Sequence, residues 1–360
     1  MRALTKYLSL AVSATVIILL ARLCFNNPKV NDFRSFYSGA SALFSGNLAG
    51  LYRHQLVAAA AGHPLDMPYT RPPAYYAVIP APFALLPFAP AFCLWVGLQT
   101  MFFLFLLFWA QSRRPAAVVA CLFPPVLISI GSGQDTIVFL GVLAASYALF
   151  RRQKDLPAGL VLGLGLLKFH LFLLWPVVFA VQKRWRALAG FSLTAAVIAI
   201  SCAGLVGIHG VRDYLAILLD PTRSSPRMAE EVGIGGLMAN MRLSSLPAQL
   251  ALGGAFAAIA IYSLRKACIK WSFVIVPAAA LAVTPHAVFY DPTLLLLPLW
   301  IVVESIPQAR ILRRISTVLA GPWVFMAFVF PAPWSAISSI GVLTFLIAAL
   351  WTLRQNTTGQ

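Results

Sequence analysis

The sequence predicts an all-α polytopic membrane protein, folded as a single integral domain over residues 1–360. Three observations carry that prediction. Hydrophobic residues make up 60% of the chain and charged residues only 10%, a balance far from that of soluble domains. About a dozen apolar stretches are separated by charged or Pro/Gly-rich breaks. Clusters of Lys and Arg punctuate those stretches so that every cluster can face one side of a membrane.

The expected spans are 7–25, 91–110, 116–131, 136–150, 156–167, 169–181, 187–208, 248–264, 271–284, 292–303, 316–330 and 335–352, about twelve in all, with both termini on one side. The first resembles a signal peptide, but it is long and lacks a small-x-small site near its end, so it is expected to stay as a helix. A full span needs about 20 residues, and several stretches are shorter. Residues 155–181, between two basic clusters, therefore read as a short hairpin with Lys168-Phe169-His170 at its tip. Residues 115–150 read as a second hairpin with GSGQD (131–135) at its tip. Two outer loops are long, about 26–90 and about 209–247. The later part of the first, Tyr69 to Phe88, is aromatic but repeatedly broken by proline. Interior prolines remove backbone hydrogen bonds, so one or two short helices at the outer interface are expected there rather than a span.

Placing the N-terminus inside puts 17 of the 27 basic residues on the cytoplasmic side against only Asp155 and Glu304. The formal charge of +17 is then an orientation signal and an attraction to anionic headgroups. A nucleic-acid footprint needs charge gathered on one soluble face, and no soluble domain is expected. The five cysteines lie in or beside separate apolar runs and offer neither a disulfide framework nor a zinc motif. No phosphate-binding loop, dinucleotide fingerprint, nucleophile elbow or metal-ligand cluster is present, so neither metal nor cofactor is expected.

The outer polar residues are the candidates for chemistry. All five histidines fall outside, and His170 and His286 sit beside other polar groups at span ends. Ionisable groups at membrane depth imply function by default. Asp32, just after the first helix, reads either as a general base or as an N-cap for the amphipathic stretch 33–45. Lys168 with His170 reads as a phosphate site or as a lysine snorkelling to the outer headgroups. His286, Tyr290 and Asp291 place three polar groups within six residues. Gln134 and Asp135 can bond a sugar hydroxyl or merely complete the hairpin tip. Arg71, beside Pro72-Pro73, reads equally as a phosphate contact or a surface cation.

Five features occur in a fixed order. They are an acid in the first outer loop (Asp32–Tyr52), a Tyr-x-x-Pro-Pro aromatic segment (Tyr69–Phe88), and a Gly-Gln hairpin tip (Gly133–Asp135). A Lys closing a short Gly-rich helix (Ala158–His170) and a Pro-His…Tyr-Asp segment (Pro285–Pro298) complete the set. In this the chain resembles the GT-C membrane glycosyltransferases, most closely the polyprenyl-phosphate-mannose-dependent α-mannosyltransferases of glycosyltransferase family 87. The resemblance implies a GT-C-like bundle of about twelve transmembrane helices with two long periplasmic loops carrying short interfacial helices. It implies inverting transfer of a sugar, mannose first, from a polyprenyl-phosphate donor to a lipid or glycan acceptor at the periplasmic face of the inner membrane. Asp32 matches the family's base. Lys168, His170 and His286 would meet the donor phosphate, and Tyr37, Gln134, Tyr290 and Asp291 would shape the sugar and acceptor pocket. The stretch 228–245 departs from the Asn/Gln-Ser pattern associated with that region. A different polyprenyl-linked sugar (glucose, a pentose or amino-arabinose) and a lipid-linked sugar flippase are the rival readings. A flippase is expected to carry paired broken-helix repeats, and the two halves show no such duplication.

Overall fold

The computed structural model describes residues 2–27, 31–46, 51–52, 71–109, 122–219, 231–243, 245–325, 334 and 336–358. Among them the chain is helical throughout, with a single isolated antiparallel bridge, Glu231 to Val288. In chain order the helices are α1 Arg2–Asn26, α2 Phe33–Phe44, α3 Pro73–Val78, α4 Phe88–Trp109, α5 Pro124–Gly131, α6 Thr136–Arg151, α7 Asp155–Gly163 and α8 Leu174–Val181. Then come α9 Trp185–Leu219, α10 Ile234–Asn240, α11 Leu246–Leu264, α12 Ile269–Val283, α13 Leu296–Ser305, α14 Arg310–Ala320, α15 Pro322–Phe325 and α16 Ala336–Thr358. Short 3₁₀ segments occupy 81–85, 164–171 and 291–295.

Four helices among the described residues are long and apolar enough to cross a membrane: Phe88–Phe108, Trp185–Leu218, Leu246–Leu264 and Ala336–Asn356. Leu10–Asn26, Thr136–Arg151 and Ile269–Val283 are apolar but shorter. Their exteriors explain the composition. Phe105, Phe108, Ile200, Leu250 and Ile347 are exposed, and only an apolar surrounding makes so many large hydrophobic side chains tolerable. The interior is held by α12, whose residues from Trp271 to Ala282 are buried in unbroken succession.

Three expectations need correction. The stretch 316–330 is not one clean span, because the helix breaks at Gly321 between α14 and α15, and residues 326–333 lie outside those described. α14 is strongly two-sided: Leu312, Ser316 and Leu319 face inward, and Arg310 and Arg314 face outward. The second long loop begins later than 209, since α9 continues past a kink at Gly207 to Leu219. Of the stretch 116–131, residues 116–121 also lie outside the described residues, and the helix seen is the eight-residue α5.

The proline-broken segment behaves as its sequence dictates. Pro73 starts α3 at the position where a missing N–H costs nothing. A 3₁₀ turn follows at 81–85, and α4 begins only at Phe88. The hairpin α7–α8 is seated by small residues. A Cβ on Gly159 would lie 2.0 Å from the Ala187 carbonyl oxygen, so α7 and α9 touch backbone to backbone, the close approach that small residues permit between membrane helices. Thr194 strengthens the contact by donating to the Leu160 carbonyl at 2.9 Å.

Candidate active site

Asp32 is fixed by its neighbours. Phe33 is fully buried between Phe83, Phe88, Phe92 and Trp95, and the Asp32 N–H donates to the Ser132 carbonyl at 3.0 Å. These contacts press the start of α2 onto the tip of the α5–α6 hairpin. The tip answers with a glycine: Gly133 has φ +76°, and a Cβ there would come within 2.7 Å of the Phe33 Cβ. Only glycine combines that backbone with that proximity. Trp95 Nε1–H closes the arrangement by donating to the Gly133 carbonyl at 2.8 Å.

Although Asp32 occupies the N-cap position of α2, its side chain makes no capping hydrogen bond. Its carboxyl is turned instead toward Gln134 and feels the charges of Arg71, Lys168 and Asp135. Burial raises its pKa, Gln134, Arg71 and Lys168 oppose the rise, and Asp135 adds to it, leaving Asp32 at about 6.

Beside it lies a buried charge network drawn from four segments. Asp135, just before α6, receives Arg71 Nη2 at 2.8 Å and Lys168 Nζ at 3.3 Å on the same oxygen, Oδ1. Lys168 also donates to Thr136 Oγ1 at 2.8 Å and forms an ion pair with Asp291. A backbone kink at Lys168 (φ −124°, ψ 55°) interrupts the 3₁₀ segment where this inward turn occurs. Asp291 Oδ2 accepts the Val288 N–H at 3.0 Å, and the Tyr290 ring centroid lies 5.2 Å from Lys168 Nζ. Arg71 reaches Gln134 Oε1 at 3.4 Å, its backbone carbonyl is held by the Tyr52 hydroxyl at 2.8 Å, and its guanidinium lies near the Phe36 and Tyr75 rings. Arg71, Asp135, Lys168 and Asp291 are all buried.

The two neighbouring carboxyls are driven apart. Burial alone would raise Asp135 too, but Arg71, Lys168 and Tyr75 outweigh it and hold Asp135 below the ordinary carboxylate value. Among the described residues Asp32 has no ion-pair partner, whereas Asp135 and Asp291 share both buried cations. Separated proton affinities in adjacent carboxyls are the usual mark of acid–base assignment.

His170 and His286 lie face to edge with ring centroids 6.3 Å apart, which brings the hairpin α7–α8 against the turn before residues 291–295. His170 Nε2 is buried and, among the described residues, has no hydrogen-bond partner. The structure thus gathers Asp32, Gln134, Lys168, Tyr290 and Asp291 into one cluster, with the His170–His286 pair carried on the same segments. Tyr37 is not part of it. Its hydroxyl donates to the Leu86 carbonyl at 2.7 Å, and its ring packs on Phe33 and Phe88, so it supports the aromatic wedge under Asp32. Lys168 does not snorkel: it is 1% exposed and surrounded by acids. The sequence left Arg71 between a phosphate contact and a surface cation, and Asp135 between a sugar contact and a hairpin-tip group, without pairing the two. A signal was available, since an Arg and an Asp in apolar surroundings each need an opposite charge, and each is the other's partner.

One comparison with known proteins agrees with the resemblance at the level of the family, and two find no match: no curated protein and no solved structure matches the chain. The family model described as glycosyltransferase family 87 matches residues 69–285, more than half of the chain. That stretch includes Arg71, Gln134, Asp135, Lys168 and His170, while Asp32, His286, Tyr290 and Asp291 lie beyond its ends but join the same cluster. On this match the chain belongs to glycosyltransferase family 87.

Proposed function

We propose that the protein is an inverting glycosyltransferase that moves a sugar, mannose first among the choices, from a polyprenyl-phosphate donor to a hydroxyl of a lipid or glycan acceptor. In this reading about twelve spans set both termini in the cytoplasm, and the cluster around Asp32 faces the periplasmic side of the inner membrane. The single observation that supports it best is the pairing pattern: two buried cations serve Asp135 and Asp291, while among the described residues Asp32 has no ion-pair partner and a pKa near 6. A carboxylate of that proton affinity is ionised at neutral pH yet basic enough to accept a proton as a bond forms.

The step is a single displacement. The acceptor oxygen attacks the anomeric carbon as its proton passes to Asp32, and the bond from that carbon to the phosphate oxygen breaks on the opposite face. The departing polyprenyl phosphate gains negative charge, and donors aimed at it act most strongly there. His286 and His170 are assigned to that phosphate, with the Arg71 Nε–H, which has no partner among the described residues, as a further donor. Lys168, already shared by two carboxylates, contributes the field of a fixed cation beside them. Gln134, Tyr290 and Asp291 border the sugar.

Purified protein given radiolabelled polyprenyl-phosphate-mannose and a membrane extract is expected to label a lipid or glycan. Replacing the donor by its glucose or pentose counterpart ranks the sugar. Passage of labelled sugar across sealed vesicles without covalent transfer would establish a flippase instead.

A further inference from the structure

The network holds more than the reaction uses. Two cations lie close enough to act on Asp32, and both are already engaged. Arg71 and Lys168 come from segments nearly a hundred residues apart, the loop before α3 and the kink of the α7–α8 hairpin, and they converge on one oxygen of Asp135. Asp135 sits two residues beyond Gly133, where the hairpin tip packs against Phe33. An Asp135 that bonded neither cation would leave Arg71 without a carboxylate and Lys168 held on one side only, by Asp291, with Asp32 the carboxylate next to both.

We infer that Asp135 is a positioning residue for the base: by holding Arg71 and Lys168 on its own carboxylate, it keeps both cations from pairing with Asp32. The inference rests on the proposed role of Asp32. A base locked in a buried ion pair has a lowered proton affinity, and its oxygens are occupied when the acceptor hydroxyl arrives. Asp135 removes both obstacles and keeps the positive field nearby. Lys168 carries the arrangement further, because its second carboxylate, Asp291, belongs to the turn that bears His286 and Tyr290. The groups that face Asp32 are Arg71, Gln134, Asp135, Lys168, Tyr290 and, from α1, Cys24.

The test is Asp135→Asn, read in two ways. In a donor-to-acceptor transfer assay the acid limb of kcat/KM is expected to move down by about one pH unit, and transfer at pH 8 to fall about tenfold. In substrate-free protein, infrared titration of the protonated carboxyl stretch, assigned to Asp32 by its loss in Asp32→Asn, should show the same downward movement. Asp135→Glu, which keeps the charge, is expected to restore both midpoints. Loss of transfer with both midpoints unmoved would leave Asp135 a structural residue and overturn the inference. If Asp135→Asn does not fold, Asp135→Ser takes its place and should move both midpoints downward; unmoved midpoints would again refute it. Should the wild-type protein transfer no sugar at all, the functional reading fails, and the infrared titration still decides the role of Asp135.

Discussion

Asp32→Asn is expected to stabilise the protein at neutral pH while abolishing its transfer reaction. The free carboxyl value of 3.8 is raised in the folded protein to about 6. At about 1.4 kcal/mol for each pH unit, a shift of that size corresponds to at most about 3 kcal/mol. Asp32 is only partly enclosed, so solvent screening brings the figure to about 1–2 kcal/mol. The sign follows from proton linkage. A carboxyl that holds its proton more tightly when folded favours the folded state below its unfolded value and loses that contribution as pH rises through the folded value. Wild-type stability should therefore decline between about pH 4 and pH 6 and level off above. Asparagine carries no charge at any pH and can still bond Gln134, so its curve should lack the decline. Unfolding by SDS titration in mixed micelles at pH 4, 6 and 8 measures the difference directly. Equal stability at pH 4 and a gain of about 1–2 kcal/mol for the variant at pH 8 are expected. If the variant is the weaker protein at pH 8, or shows the wild-type slope, Asp32 is not a carboxyl whose charge the fold disfavours.

Other consequences can be measured alongside. Transfer catalysed by the wild-type protein should show an acid limb with a midpoint near pH 6, whereas a profile flat from pH 5 to 8 would exclude Asp32 as the base. Lys168→Met leaves Asp291 without its cation while Asp135 retains Arg71, so the same SDS titration should record a loss of about 3 kcal/mol, the low end for breaking a buried pair. Adding Asp291→Asn should recover about 1–3 kcal/mol of it, because residues in one network couple. Gly133→Ala forces a Cβ into Phe33 at positive φ, which should cost about 2 kcal/mol and lower kcat more than donor binding, measured by isothermal titration. Tyr37→Phe removes only the hydrogen bond to Leu86 and should leave the donor KM within about twofold, since one such bond contributes about 1 kcal/mol at most at an exposed site.

The membrane character and helical class follow from composition and from runs of apolar residues, because a chain in lipid must satisfy its backbone hydrogen bonds within each segment. The same local rule made the proline-rich stretch before α4 legible as short helices. The limits of individual helices were less legible. α9 runs on through Gly207, and α14 breaks at Gly321, since a helix end depends on what the next residues pack against.

Asp32, Lys168, His286, Tyr290 and Asp291 stood out in the sequence because polar groups in apolar surroundings are costly enough to need a reason. Their partners did not stand out. That Arg71 belongs to Asp135, that Lys168 bridges Asp135 and Asp291, and that Tyr37 serves an aromatic wedge are facts of contact between segments 33 to 123 residues apart in the chain. Hydropathy and local spacing register the cost of burying a charge, and the pairing that offsets it arises only when the helices have packed.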